Sequence, residues 1–272
     1  MELIETHAHL DYATFDDDRE ILLSQANERG ISKIISIGTK ATSSQGAVAL
    51  AARYESVYAA VGWHPTDCLE APDNVIATLR EIARAPKVVA IGETGLDYYH
   101  LPSESLGPDA SESEKKKRDD PYKVKQELIF RQQLDLAVEL GLNVVVHQRS
   151  AFDDCLRIMT EYKEKVRGVW HCFVNNAAEA AQILEIGSLV SFTGIVTFKN
   201  AKEIQDTVKA LPLEAMMVET DCPYLAPVPF RGKRCEPAHT RLVAEKIAEI
   251  KGINLEEVAK VTTQNAYDFF RF

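Results

Sequence analysis

Seven histidines are spread over 272 residues, and five of them stand where chemistry could use them. His7, His9, His64, His147 and His171 each close a short β-branched or apolar run, as do the carboxylates Glu93 and Asp221. In His7-Ala8-His9 the two-residue period of an extended chain sends both imidazoles to one side, so both can reach one ion. A lone histidine at a strand end is more often a satisfied polar residue than a ligand; several on one face point to a metal. His7, His9, His147, His171, Glu93 and Asp221 are more ligands than one catalytic ion needs, whereas two ions bridged by a carboxylate would use all six and leave positions for water. The residues therefore predict two divalent metal ions per chain. His-rich carboxylate sites suit Zn, Mn, Fe or Ni, while Mg prefers oxygen ligands.

Such a set must be carried by regularly spaced elements. Short β-branched runs alternate with amphipathic stretches, the pattern of βα units around a parallel sheet. Strands are predicted at Leu3–Glu5, Lys33–Ile37, Val57–Val61, Val88–Ile91, Asn143–Val146, Gly168–Trp170, Leu189–Phe192 and Met216–Glu219. Helices are predicted at Asp16–Asn27, Asn74–Ala83, Lys123–Leu140, Ala177–Ile186 and Thr240–Lys251, with Gly30, Gly141, Gly187 and Gly252 as C-terminal caps. About eight strands imply an α/β fold of the TIM (β/α)8 barrel class, and such barrels assemble their sites at the C-terminal ends of the strands, where these residues fall. Residues 1–272 are expected to form one domain, a length ordinary for this barrel. The segment from Leu101 to Asp120, rich in Ser, Pro, Glu and Lys, interrupts the rhythm and is expected to be a polar loop inserted after the fourth strand.

Composition narrows the classes. The first residues lack the basic and apolar regions of a secretory signal, and no apolar run approaches a membrane span, so a cytoplasmic protein without a membrane partner is expected. Five cysteines without a C-x-x-C pair argue against a disulfide framework or a structural zinc module. A net charge of −10 argues against a nucleic-acid coat protein, but not against a nuclease, because bound divalent ions and short clusters such as Arg231-Gly232-Lys233-Arg234 reverse the charge locally. Cys172 and Cys222 adjoin candidate ligands, but strand alternation is expected to aim them into the opposite layer.

The motifs themselves resemble a known family. His7-Ala8-His9, Gly62-Trp63-His64-Pro65, Gly92-Glu93-Thr94-Gly95-Leu96-Asp97-Tyr98-Tyr99, His147-Gln148-Arg149, His171-Cys172-Phe173 and Glu219-Thr220-Asp221-Cys222-Pro223-Tyr224-Leu225-Ala226-Pro227 look like the TatD family of metal-dependent deoxyribonucleases. Ser191–Phe198 and Asn265-Ala266 match it as well, and only the region from 101 to 120 lies outside the resemblance. Cys235 stands where the family commonly has Asn, and Val174-Asn175 where Ser-Gly commonly follows His-Cys-Phe; both bear on the nucleotide pocket rather than on the ligands.

The resemblance implies a barrel of the amidohydrolase type that hydrolyses phosphodiester bonds in DNA, often as a 3′-to-5′ exonuclease. It implies that His7 and His9 bind a first metal, that His147 and His171 bind a second, that Glu93 bridges them, and that Asp221 completes the first site beside the attacking water. His64 and Arg149 resemble the family's phosphate contacts, and Arg231, Lys233 and Arg234 occupy its basic loop after the eighth strand. Catalysis would fall to Asp221 and Glu93. Two other classes share the ligand set. One is ester or amide hydrolysis, including a D-aminoacyl-tRNA deacylase acting on tRNA instead of DNA; the other is a metal-binding scaffold without activity.

Overall fold

The computed structural model describes residues 1–107 and 109–272. Eight parallel strands pair in sequence order as a near-closed barrel: β1 (Leu3–Ala8), β2 (Ile31–Ile37), β3 (Val57–Val61), β4 (Val88–Asp97), β5 (Asn143–Arg149), β6 (Gly168–Trp170), β7 (Leu189–Phe192) and β8 (Met216–Val218). Beyond the end of β8 the chain returns to β1: Asp221 N donates to His7 O at 2.9 Å, and His9 N donates to Cys222 O at 2.9 Å. Lower down, the Thr6 hydroxyl donates to Val218 O at 3.1 Å.

Around the sheet lie α1 (Arg19–Glu28), α2 (Ala41–Arg53), α3 (Val75–Ala83), α4 (Glu112–Leu140), α5 (Phe152–Tyr162), α6 (Ala177–Glu185), α7 (Lys202–Ala210), α8 (Thr240–Lys251) and α9 (Leu255–Phe270). Ile4, Ile35, Ile37, Val89, Val145, Val169 and Met217 fill the barrel interior, and Phe269 and Phe270 from the end of α9 pack with them. A second apolar layer, with Leu3, Ile34, Val144 and Trp170 among its members, joins the strands to the helices. This division into two layers is strand alternation made three-dimensional.

The polar segment from 101 to 120 departs from expectation. It holds a short 3-10 helix at Pro102–Ser105, and from Glu112 onward it is the beginning of α4, which runs for 29 residues. Ser111 and Glu114 close a capping box, with Ser111 Oγ accepting from Glu114 N at 3.3 Å and Glu114 Oε2 accepting from Ser111 N at 2.9 Å. Buried Asp119 accepts from Ser103 N at 2.9 Å and ties the loop to the helix. Caps and helix-forming Glu, Lys and Arg sustain these turns without any apolar stripe.

Candidate active site

Strand ends deliver the site from five directions. β1 carries His7 and is followed by His9; β4 carries Glu93; β5 carries His147; His171 follows β6 and Asp221 follows β8. Glu93 and His147 can meet because β4 and β5 approach closely at Gly95, whose φ is 146° and where a Cβ would come within 2.0 Å of His147 O. Two non-glycine residues adopt left-handed backbone here, Cys172 at φ 46° and Asp221 at φ 60°. That conformation costs each about 1–2 kcal/mol, and it is held at Asp221 by the hydrogen bond from its N–H to His7.

The side chains form three donor groups, each compact enough to hold a metal ion: His7 with His9 and Asp221, His7 with Glu93 and His171, and His64 with Glu93 and His147. Glu93 divides its two oxygens between them. Oε1 lies 2.8 Å from His147 Nδ1, 2.8 Å from His171 Nε2 and 3.4 Å from His64 Nε2. Oε2 faces His7 Nε2 at 3.4 Å and His9 Nε2 at 3.9 Å. Asp221 Oδ1 completes the other side, 3.3 Å from His9 Nε2 and 3.6 Å from His7 Nε2. His64 thus stands beside these donors, close enough to meet a group bound at the centre. His7 is buried and neither of its ring nitrogens has a hydrogen-bond partner, which is costly unless a cation occupies the space its Nε2 faces. Ligand atoms held about 2 Å from a shared ion lie about 3–4 Å apart, the spacing of these donors.

Without an ion, protons compensate the buried carboxylates. Burial pushes the Glu93 carboxyl up, but the imidazoles of His171, His64 and His147 overcome it and hold it well below the usual range. Burial also disfavours the imidazolium of His171, yet Glu93 and Glu219 raise its pKa well above the ordinary value. His147 is likewise raised against burial by Asp97 and Glu93, and His9 by Asp221. His7 and His64 are lowered, first by burial and then by a neighbouring histidine.

Several supporting residues were not singled out in the sequence. Asp97 lies four positions after Glu93 on the same strand face, and its Oδ2 is 3.1 Å from His147 Nε2 and 3.0 Å from His100 Nδ1. Alternation along β4 was the signal for it. Glu219 accepts from Cys172 N and from Ser191 Oγ, both at 2.6 Å, and faces His171 Nδ1 at 3.6 Å. Glu5 accepts from His7 N at 2.9 Å and Thr220 N at 3.0 Å, and also from the Thr240 hydroxyl, so it binds β1 to the chain after β8. The Tyr12 ring stacks on His9 with centroids 4.9 Å apart.

These groups open into a cavity of about 710 Å3 whose walls include His9, His64, Glu93, His147, Arg149, His171 and Asp221, with Tyr12, His100 and Tyr224 nearer solvent. Cys172 also lines it, contrary to the expectation that alternation would turn it away, because the left-handed turn at that residue breaks the strand period. Burial pushes its thiol up to about 12, so it stays protonated at neutral pH. Cys222 is buried and lies outside those walls. Arg231, Lys233 and Arg234 are not among the lining residues. Arg231 lies over the Phe198 ring at 4.3 Å and Lys233 over Phe230 at 6.0 Å. Arg234 pairs with Asp18 and donates to Thr14 O at 2.6 Å.

A parallel barrel with His–carboxylate clusters at the C-terminal ends of its strands is the frame of a metal-dependent hydrolase. Within that class the chain belongs to the family described as TatD related DNase, whose profile matches residues 4–271. It is 38% identical over 270 residues to the uncharacterized metal-dependent hydrolase YabD of Bacillus subtilis, covering 99% of each chain. It is 37% identical over 271 residues to the uncharacterized metal-dependent hydrolase YcfH of Escherichia coli, covering 97% of this chain and 94% of that one. Among solved structures it resembles YjjV, a TatD homologue from Escherichia coli, with a TM-score of 0.88 and 28% identity over 99% of this chain and 98% of that one. Among the described residues no helix is long and apolar enough to cross a membrane.

Proposed function

We propose that the protein is a deoxyribonuclease that hydrolyses phosphodiester bonds from the 3′ end of a DNA strand, at a centre whose residues would hold two divalent metal ions. The observation that carries this reading is the division of Glu93, one oxygen toward His147, His171 and His64 and the other toward His7 and His9, at the floor of a cavity walled on one side by Arg149. His7, His9 and Asp221 would hold one ion and His147 and His171 the other, with Glu93 presenting one oxygen to each group. Such ions, when bound, supply a nucleophilic water at neutral pH and neutralise charge on the phosphoryl group. Zn, Mn, Fe and Ni suit the histidine donors, whereas Mg prefers an all-oxygen set.

The chain's own groups do the rest. Burial pushes the Asp221 carboxyl up, but His9 and His7 bring it below its usual value, so it is ionised at neutral pH, and with Oδ1 toward the two histidines its Oδ2 is the oxygen that would orient the attacking water and accept its proton. Arg149 at the cavity wall offers a planar fork to a non-bridging phosphate oxygen, and His64 holds the phosphate against the centre. Arg231 and Lys233, exposed on the loop after β8, would meet a substrate only outside the cavity; Arg234 already has a carboxylate partner. The family description favours DNA over tRNA as the substrate.

Single-stranded DNA labelled at either end, incubated with defined metals, tests the proposal. A ladder shortening from the 3′ end is the expected result. An inert DNA strand alongside deacylation of a D-aminoacyl-tRNA would replace the nuclease reading with the esterase one.

A further inference from the structure

The beginning of α4 is not needed to close the barrel. Gln126 grips the end of β4, its Oε1 accepting from Asp97 N at 2.9 Å and its Nε2 donating to Asp97 O at 3.0 Å. The 14 residues from Glu112 to Lys125 therefore precede the point where the helix meets the strand end. At a rise of about 1.5 Å per residue they extend about 20 Å beyond it, on the mouth side of the barrel. Lys116 and Lys123 are seven residues apart, two helical turns, and so share one face. Lys123 places its Nζ 4.6 Å from the centre of the Tyr98 ring. On the same loop Tyr99 is 52% exposed, and the Arg149 guanidinium lies 3.9 Å from its ring centre. Arg149 in turn lines the cavity. Among the described residues Lys116, Lys117, Lys123 and Arg149 take part in no ion pair, whereas on the same helix Lys115 pairs with Glu112 and Lys125 with Asp73.

We infer that the Tyr99–Arg149 stack and the lysine face of the first turns of α4 form a track for a single strand of nucleic acid leaving the cavity, an inference that rests on the nuclease reading above. A planar aromatic–guanidinium pair offers its face to an unpaired base, which a duplex has none of to give. From Glu112 to Lys125 the helix carries six Lys and Arg against four Asp and Glu, a local cationic excess that lowers the repulsion a polyanion meets on a chain of net charge −10. The path runs from the cavity wall at Arg149 to Tyr99, then past the adjacent Tyr98 to Lys123, and on to Lys116 two turns along the helix. The loop after β8 lacks this continuity with the cavity: Arg231 stacks on Phe198, but neither residue lines the cavity, and Arg234 pairs with Asp18.

The test compares a trinucleotide with a single-stranded oligonucleotide of about fifteen nucleotides, as substrates of the metal-loaded enzyme at several salt concentrations. For Lys116→Ala/Lys123→Ala, the advantage of the long substrate in kcat/KM is expected to shrink about tenfold, and the salt slope of its binding to fall by about 0.7 for each lysine removed. Tyr99→Ala is expected to lose about tenfold in affinity for the long strand, the effect of one stacked base, while Tyr99→Phe keeps it. An unchanged length preference and salt slope in the double variant, with the wild type cleaving DNA normally, overturn the track and leave the nuclease reading intact. Equal losses in Tyr99→Ala and Tyr99→Phe overturn the stacking role. A wild type that hydrolyses a small activated phosphodiester but neither binds nor cuts oligonucleotides overturns the track together with the nuclease reading.

Discussion

Glu93 is the residue on which the two halves of the site depend, because it alone presents one oxygen to each group of histidines. Glu93→Ala is therefore expected to lose both metals, whereas His9→Ala, touching only the Asp221 side, should lose mainly one. Metal analysis of the purified variants decides this, and equal losses would refute the shared carboxylate. The same carboxylate makes metal binding depend on pH. His171, His147 and His9 have raised pKa values in the metal-free protein, so a metal must displace their protons. The sign follows from linkage. The protonated pairs stabilise the metal-free fold fully below the unfolded histidine value of about 6.5 and cease to do so as pH rises through the raised folded values. The increase in Tm on adding metal should consequently grow with pH across this range, and calorimetric heats should vary with the ionisation enthalpy of the buffer. Heats independent of the buffer would count against displaced protons.

At the scale of elements, α4 governs the geometry of two strands at once. Gln126 holds both backbone groups of Asp97 as described, and Gln133 does the same for Trp63, accepting from its N–H at 2.7 Å and donating to its carbonyl at 2.9 Å. Trp63 immediately precedes His64, so this glutamine sets where that imidazole sits. Gln133→Leu keeps the volume but leaves buried backbone groups without partners, at about 1–3 kcal/mol each. The expected outcome is a lowered Tm together with a raised KM. If stability falls while KM for the small phosphodiester stays at the wild-type value, the glutamine supports the fold without positioning His64.

Considered as a whole molecule, the barrel keeps its chemistry and its closure at opposite ends. Phe269 and Phe270 fill the N-terminal end with the interior strand residues, and Asn143 Nδ2 donates to Phe269 O at 2.6 Å. The metal-binding side chains open at the other end, where the returns from Asp221 and Cys222 to β1 complete the ring. Phe269→Ala should cost about 3–5 kcal/mol, as large-to-small changes in a packed core do. Metal content of the folded fraction should not change, because the cavity it leaves lies at the far end of the barrel. Denaturant melts with metal analysis on the same sample measure both, and a loss of metal from still-folded protein would mean that the two ends are mechanically coupled.

Much of this was legible in the residues alone, and what was not has physical causes. His7-Ala8-His9, Glu93, His147, His171 and Asp221 stand out because few side chains bind metals and their intervals match strand ends, so their convergence follows once the alternation of strand and helix is recognised. Strands β3, β6 and β7 fall where their apolar runs lie. β1, β4 and β5 extend further than expected, to Ala8, Asp97 and Arg149, because the site residues that end them are polar and interrupt the apolar signal. The helices α2, α5, α7 and α9 and the first turns of α4 also lie outside the predicted set: α2 is alanine-rich and the first turns of α4 have no apolar stripe, whereas α5, α7 and α9 do present apolar faces, such as Phe152, Cys155, Ile158 and Met159 on α5, that the reading of the pattern missed. Only the folded chain decides that His64 joins the ligand groups, that Asp97 and Glu219 face His147 and His171, that Cys172 turns into the cavity, and that Arg234 meets Asp18 away from it. Sequence fixes which chemistry each side chain can perform; its partner across the barrel is set by strand register, a left-handed residue or a loop return, all of which depend on contacts between residues far apart in the chain.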